Sequence, residues 1–347
     1  MRRNGYYTPN ETVLLTGAGF TKTFGGYLGN EMWAAMLNRL EINRDPILRE
    51  RLLDQSNFEL FYHEVRNSGH YCDEQKKCVN AALVKAFEEM DSVISDSFRD
   101  DVNVGFAACK NLISRFAGSK DKRRRGFFFT LNQDLFVERF YRAARTSPKI
   151  CIPGLECDWW FEGNAHRGFS KEDYLTVPDA DETEKVKKQL SSGDEVFLYV
   201  KLHGSYGWKA HGGSDTMVIG YKKEGMIKGE PLLEWYLSLF EEILNHEAVK
   251  NLLVIGYGFL DKHINGLIAD AIDGGLRLHV VSPQTSQSFR DHLNSLPVSG
   301  TEFRAVGNRL WGGLYGYYTG TVTDFFSTRN WHPTRLGETL FRNLGIG

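Results

Sequence analysis

The chain has 347 residues, 41% hydrophobic, 25% charged and 13% aromatic, with a formal net charge of −2 at neutral pH. That length holds one large α/β domain with an insertion, or two domains. The near-neutral balance removes any global electrostatic reason for nucleic acid or an anionic membrane to be the main ligand.

The first predicted strand is Val13-Leu14-Leu15-Thr16, an apolar run suited to a buried parallel position, and the turn Gly17-Ala18-Gly19-Phe20-Thr21-Lys22 leads from it towards a helix. Glycines at 17 and 19 let the backbone turn sharply and set N–H groups against a phosphate, where a helix N-terminus adds partial positive charge. The turn departs from G-x-G-x-x-G because Lys22 stands at the third glycine, and it lacks the Gly-Lys-Ser/Thr end of a P-loop. Alone, it is equally a tight turn without a ligand.

Residues 29–118 carry helical apolar spacing, through Met32, Trp33, Met36, Leu37 and Leu40 and again through Val79, Leu83, Ala86, Phe87, Met90 and Val93. Pro46 and Asn67-Ser68-Gly69 punctuate this stretch. It is too long for a single crossover helix, so a helical subdomain inserted in a βαβ unit is expected. The basic run Lys120 to Arg125 reads as a solvated turn before the second strand, Gly126 to Leu131. That strand ends in Asn132-Gln133-Asp134, with a helix through Phe136, Phe140 and Tyr141. An irregular insertion follows over about 145–195, holding Trp159, Trp160 and a charged helix from Asp179 to Lys188.

Further strands are expected at Glu195–Leu202, ending in His203-Gly204-Ser205, at Asn251–Ile255, ending in Gly256-Tyr257-Gly258, and at Leu276–Val281, ending in Ser282. Helices are expected from Pro231 to about Glu247 and from near Asp261. The whole of 1–300 is thereby an α/β, Rossmann-like, doubly wound parallel sheet. Residues 301–347 form a C-terminal extension, glycine- and aromatic-rich from Trp311 to Tyr318, that packs on the core or at an interface. Cys72, Cys78, Cys109, Cys151 and Cys157 are an odd set without C-x-x-C spacing, which speaks against a zinc ribbon. No apolar run reaches the roughly 18 residues of a membrane span, and no signal-like segment follows Met1. A soluble, reduced, cytoplasmic protein is expected.

Five apolar strands thus each end in a polar or glycine-containing cluster. In an open parallel sheet ligands bind beyond the strands' carboxyl ends, so clusters 17–22, 130–134, 203–205, 256–261 and 282 face one site. These clusters carry a family resemblance. Gly17-Ala18-Gly19-Phe20-Thr21 resembles the Gly-Ala-Gly-x-Ser phosphate loop of sirtuins, Thr130-Leu131-Asn132-Gln133-Asp134 their Thr-Gln-Asn-x-Asp, and His203-Gly204 their catalytic His-Gly. Gly256-Tyr257-Gly258-Phe259-Leu260-Asp261 is similar to the Gly-x-Gly-x-x-Asp of sirtuin-like proteins of bacterial anti-phage defence. Two departures stand out: Leu131 replaces the deacylase glutamine, and the four-cysteine zinc module after His-Gly is missing.

The resemblance implies NAD as substrate and an NAD glycohydrolase that releases nicotinamide and ADP-ribose as a defence effector. Nicotinamide leaves as a neutral molecule, so the chemistry needs a base and groups that stabilise an oxocarbenium-like transition state. His203 has the intrinsic pKa of such a base, Asn132 holds water or a ribose hydroxyl, and Asp134 accepts from the nicotinamide amide. Gly17, Ala18, Gly19, Phe20, Thr21, Thr130, Gly204, Gly256, Gly258, Asp261 and Ser282 are the expected nucleotide contacts, and no metal is expected. Asn132, Asp134 and Asp261 are also natural helix caps, and His203 a natural strand-end histidine. The rival functions are an NAD-dependent protein deacylase and a sensor that binds NAD or ADP-ribose without turnover. The resemblance further implies a homo-oligomer working with a separate protein, a HerA-type ring ATPase or an Argonaute-like protein.

Overall fold

The computed structural model describes residues 7–97, 104–142, 149–155, 168–213, 216–296, 306–327 and 332–346. Six parallel strands form the main sheet: β1 (Thr12–Thr16), β2 (Arg124–Thr130), β3 (Phe197–Lys201), β4 (Asn251–Ile255), β5 (Arg277–Ser282) and β6 (Leu314–Thr319). Their spatial order is β3-β2-β1-β4-β5-β6, with a two-residue strand, Thr8–Pro9, added beside the start of β2. This is the doubly wound Rossmann order, and its direction reverses between β1 and β4. Every residue of β1, β3 and β4 is buried, as expected for strands covered by helices on both faces.

Register decides where the site falls. Lys201 pairs with Thr130, Thr130 with Thr16, Thr16 with Ile255 and Ile255 with Val281, so four strand ends and the last turn of β5 lie level. The polar clusters begin one or two residues past this row, along one edge of the molecule.

Helices Gly29–Leu37, Leu40–Asn43, Pro46–Asp54, Phe58–Asn67, Asp73–Ser97 and Val104–Ser114 fill the stretch between β1 and β2. Asp45 caps the third through Ile47 N and Leu48 N with Pro46 in its first turn, and Asn57 caps the fourth through Glu59 N and Leu60 N. Met36, Leu48, Leu52, Phe61, Val65, Val79 and Leu83 are each 0% exposed, which gives these helices an apolar seam of their own. A buried ion pair, Asp91 with Arg139, ties the longest helix to the segment after β2.

That segment differs from a plain α-helix. After two helical residues it widens into a π-helical turn, Glu138–Arg142, a local form often found beside functional sites. Helix Ala180–Ser192 has Asp179 at its N-cap and Glu182 reaching back, a capping box. Trp159, Trp160 and Cys157 lie outside the described residues.

The sheet continues past residue 300. Leu314–Thr319, within the aromatic stretch that composition left unassigned, is β6, parallel to β5 with a register shift at Leu278/His279. Helix Arg335–Leu344 then returns over the core, burying Leu340, Phe341 and Leu344, and its last carbonyl accepts a 2.7 Å hydrogen bond from Thr12 Oγ1 at the start of β1.

Candidate active site

At the switch point the loops after β1 and β4 are pressed together. Gly17 N donates to Ile255 O (3.0 Å) and Gly19 N to Gly256 O (2.9 Å). Gly256 has φ +66°, and a Cβ there would stand 2.3 Å from Phe20 N; one on Gly17 would stand 2.7 Å from Tyr257 Cα. These glycines therefore serve loop-to-loop contact, and the amides of Gly17 and Gly19 are engaged within the protein. Phe20 is 1% exposed and packs edge-on against Phe128 and Phe136, and its N–H donates to Gly17 O at 2.9 Å. Ala18 is exposed at the turn.

Beyond β2, Thr130 and Thr16 join through their hydroxyls at 2.8 Å, and Asn132 N donates to Thr130 Oγ1 at 3.0 Å. Thr21, from the β1 loop, donates to Asp134 Oδ2 at 2.9 Å, and Asn132 Nδ2 points to Thr21 Oγ1 at 3.5 Å. Asp134 Oδ1 accepts from Phe136 N at 3.0 Å, so the carboxylate does cap the helical turn while it holds Thr21. Asn132, in contrast, caps nothing. Burial pushes the Asp134 carboxyl above its usual range, opposed by the Lys201 charge. Lys201 pairs with Glu138 at 2.7 Å, both fully buried, and donates to Asp134 O, which fixes the floor of this corner.

Beyond β3, Gly204 takes φ +70°, and a Cβ would meet Thr216 O at 2.2 Å. That turn presents His203, 3% exposed, whose carbonyl accepts from Val218 N (3.0 Å) and from Gln133 Nε2 (3.3 Å). Gln133 thereby staples the β2 and β3 ends together. His203 Nε2 lies 3.1 Å from His263 Nε2, in the first turn of helix Lys262–Asp273. Burial, assisted by the Lys223 and His263 charges and opposed by Asp261, brings the His203 pKa down to about 3. The ring is neutral at physiological pH.

Asp261 occupies the N-cap position of that helix without a cap bond. Its Oδ1 instead accepts from Lys223 Nζ at 2.7 Å, and Lys223 also pairs with Glu59 at 2.7 Å. Burial alone would raise the Asp261 pKa; His203, Lys223 and His263 bring it below the ordinary value. Burial works against the Lys223 ammonium too, and the two carboxylates more than restore it. Tyr257 OH locks the loop by donating to Asn265 Oδ1 at 2.9 Å and accepting from Asp261 N at 3.0 Å.

The structure thus brings Thr21, Thr130, Asn132, Asp134, His203 and Asp261 together along one edge. Gly258 is exposed and uncrowded. Ser282 has its hydroxyl engaged by Gln284 N at 3.2 Å and by Tyr317. His263, Lys223, Glu59 and Gln133 are the residues that reading the sequence missed. His263 had a local signal, two residues beyond Asp261 on the same helix start. Lys223 and Glu59 had none, because only the tertiary fold carries the insertion helix Phe58–Asn67 to this edge.

Among the described residues, two groups bring metal-ligating side chains together: His203, Asp261 and His263, with ligand atoms within 4.8 Å of one another, and the exposed Asp179, Glu182 and His211. In the first, Lys223 already supplies a positive charge against Asp261. The free cysteines Cys72, Cys78, Cys109 and Cys151 contribute to neither.

A family model described as a SIR2-like domain matches residues 126–290, from β2 to the helix after β5. No curated protein matches the chain. The matched stretch contains Asn132, Asp134, His203, His263 and Asp261, while Gly17 to Thr21 lies before it and joins through the sheet. SIR2-like domains are NAD-dependent.

Proposed function

We propose that the protein is an NAD glycohydrolase in which His203 is the base, Asn132 positions the attacking water and Asp134 orders the corner that receives the nicotinamide ribose. One observation carries this reading. Asn132, Asp134 and His203, all less than a tenth exposed, stand past the level ends of adjacent strands, cross-linked by Thr21 and Gln133. A buried, prearranged polar corner of this kind stabilises developing charge better than water does. Nothing in the proposed step requires a peptide: water attacks ribose C1′, the C–N bond breaks, and nicotinamide leaves with its electron pair.

The same resemblance supports the role of a defence effector that depletes NAD inside an oligomer, gated by a partner such as a ring ATPase. Incubating the protein with NAD, alone and with an acyl-lysine peptide, tests the chemistry. Nicotinamide and ADP-ribose without peptide are the expected products. Release only with peptide would make it a deacylase, and binding without release a sensor.

A further inference from the structure

His203 by itself is a reluctant base. A ring held near pKa 3 by burial is neutral when needed but gains little by taking a proton. The geometry offers the proton a second place. His203 and His263 approach nitrogen to nitrogen at 3.1 Å, with ring centroids 5.2 Å apart. Between two neutral imidazoles, one nitrogen must donate and the other accept. The other nitrogen of His203, Nδ1, has no hydrogen-bond partner among the described residues, so it is the atom left to meet a reacting hydroxyl. His263 is half-buried, and burial lowers its pKa below the ordinary value, while the adjacent Asp261 charge works in favour of an imidazolium there. Lys223 adds to the lowering and Glu224 opposes it, and Lys223 is also paired with Glu59.

We infer that His263 is a positioning residue for His203, fixing it with the proton on Nε2 and accepting that proton when Nδ1 receives one. This rests on the NAD-cleaving reading above. The attacking water loses its O–H proton to His203 Nδ1 while its oxygen bonds to ribose C1′ and nicotinamide departs with the C–N electron pair. The Nε2 proton of His203 passes to His263 Nε2. His203 ends neutral, protonated on Nδ1, and the positive charge rests on His263 beside Asp261. His263 then sheds its Nδ1 proton to solvent. No oxidant or co-reactant beyond NAD and water is involved.

The test pairs turnover with side-chain ¹⁵N NMR on the wild type, His263→Ala and His263→Gln. The expected result is a kcat for His263→Ala lower by roughly 10²-fold, with KM retained and the pH profile altered. His203 should be Nε2-protonated in the wild type, lose that preference in the alanine variant and keep it with glutamine, whose oxygen accepts the same hydrogen bond without taking the proton. Wild-type kcat and pH profile in His263→Ala would overturn the inference and leave the NAD-cleaving reading standing. If the wild type released no nicotinamide, that reading would fall, and the spectra would still decide: a His203 protonated on Nδ1, or indifferent to residue 263, overturns the pairing.

Discussion

Lys223 is the residue that most constrains what the site can hold. Its ammonium contacts both Asp261 and Glu59 at 2.7 Å, so the carboxylate a divalent cation would need already has a cation against it. NAD cleavage should therefore survive treatment with a strong chelator. Loss of turnover that zinc restores would instead place a metal on His203, Asp261 and His263. A second residue, His279 on β5, is 0% exposed with neither ring nitrogen partnered, and burial lowers its pKa to about 4. His203 and His279 both sit below the ordinary 6.5, so the unfolded chain binds protons first as pH falls. Stability present above 6.5 is then lost progressively down to about 4 for His279 and about 3 for His203. Asp134 and Glu138, whose pKa values burial raises, run the opposite way at lower pH. Replacing His279 by leucine should raise stability by about 1 kcal/mol at neutral pH, because two unsatisfied nitrogens disappear. It should also flatten the acid decline of the melting temperature, measured by thermal unfolding from neutral to mildly acidic pH. An unchanged decline would mean that the His279 ring is satisfied in solution.

Among the elements, the loops after β1 and β4 depend on each other. Gly256→Ala places a Cβ 2.3 Å from Phe20 N at a positive φ, and backbone has no flexible end to move aside. A loss of about 2 kcal/mol or more, seen in denaturant unfolding, together with weakened NAD binding is expected. Gly258→Ala, at an open position, should cost little. This contrast also explains what sequence reading could reach. The five strands were legible because each is a short apolar run ending in a polar cluster, and their convergence follows from parallel topology alone. β6 was not, because Gly313, Gly316 and the tyrosines around them mimic a loop; it is a strand because β5 supplies its ladder on one side. The histidine pair was legible by half. His203 advertised itself through Gly204, but His263 became visible only once the helix start carrying Asp261 was packed against the β3 turn.

For the whole molecule, the sheet order alone places the candidate edge, since a switch between β1 and β4 opens a crevice at their carboxyl ends. The outer strand β6 is a sheet edge, and Tyr315 on it is 64% exposed beneath the Arg277 guanidinium. A sheet edge that no strand among the described residues pairs, and that carries an aromatic, suits contact between copies. Light scattering on the isolated chain should accordingly report an oligomer, with specific NAD turnover rising with protein concentration. A strictly monomeric, fully active protein would end that proposal without touching the chemistry. The chemistry itself is tested most directly by nicotinamide release from NAD, followed with wild type, Asn132→Ala and His203→Ala at matched folded concentration. The account predicts nicotinamide and ADP-ribose from the wild type, and a loss of roughly 10²–10⁴-fold in His203→Ala with comparable damage in Asn132→Ala. Near wild-type release from either variant would contradict it.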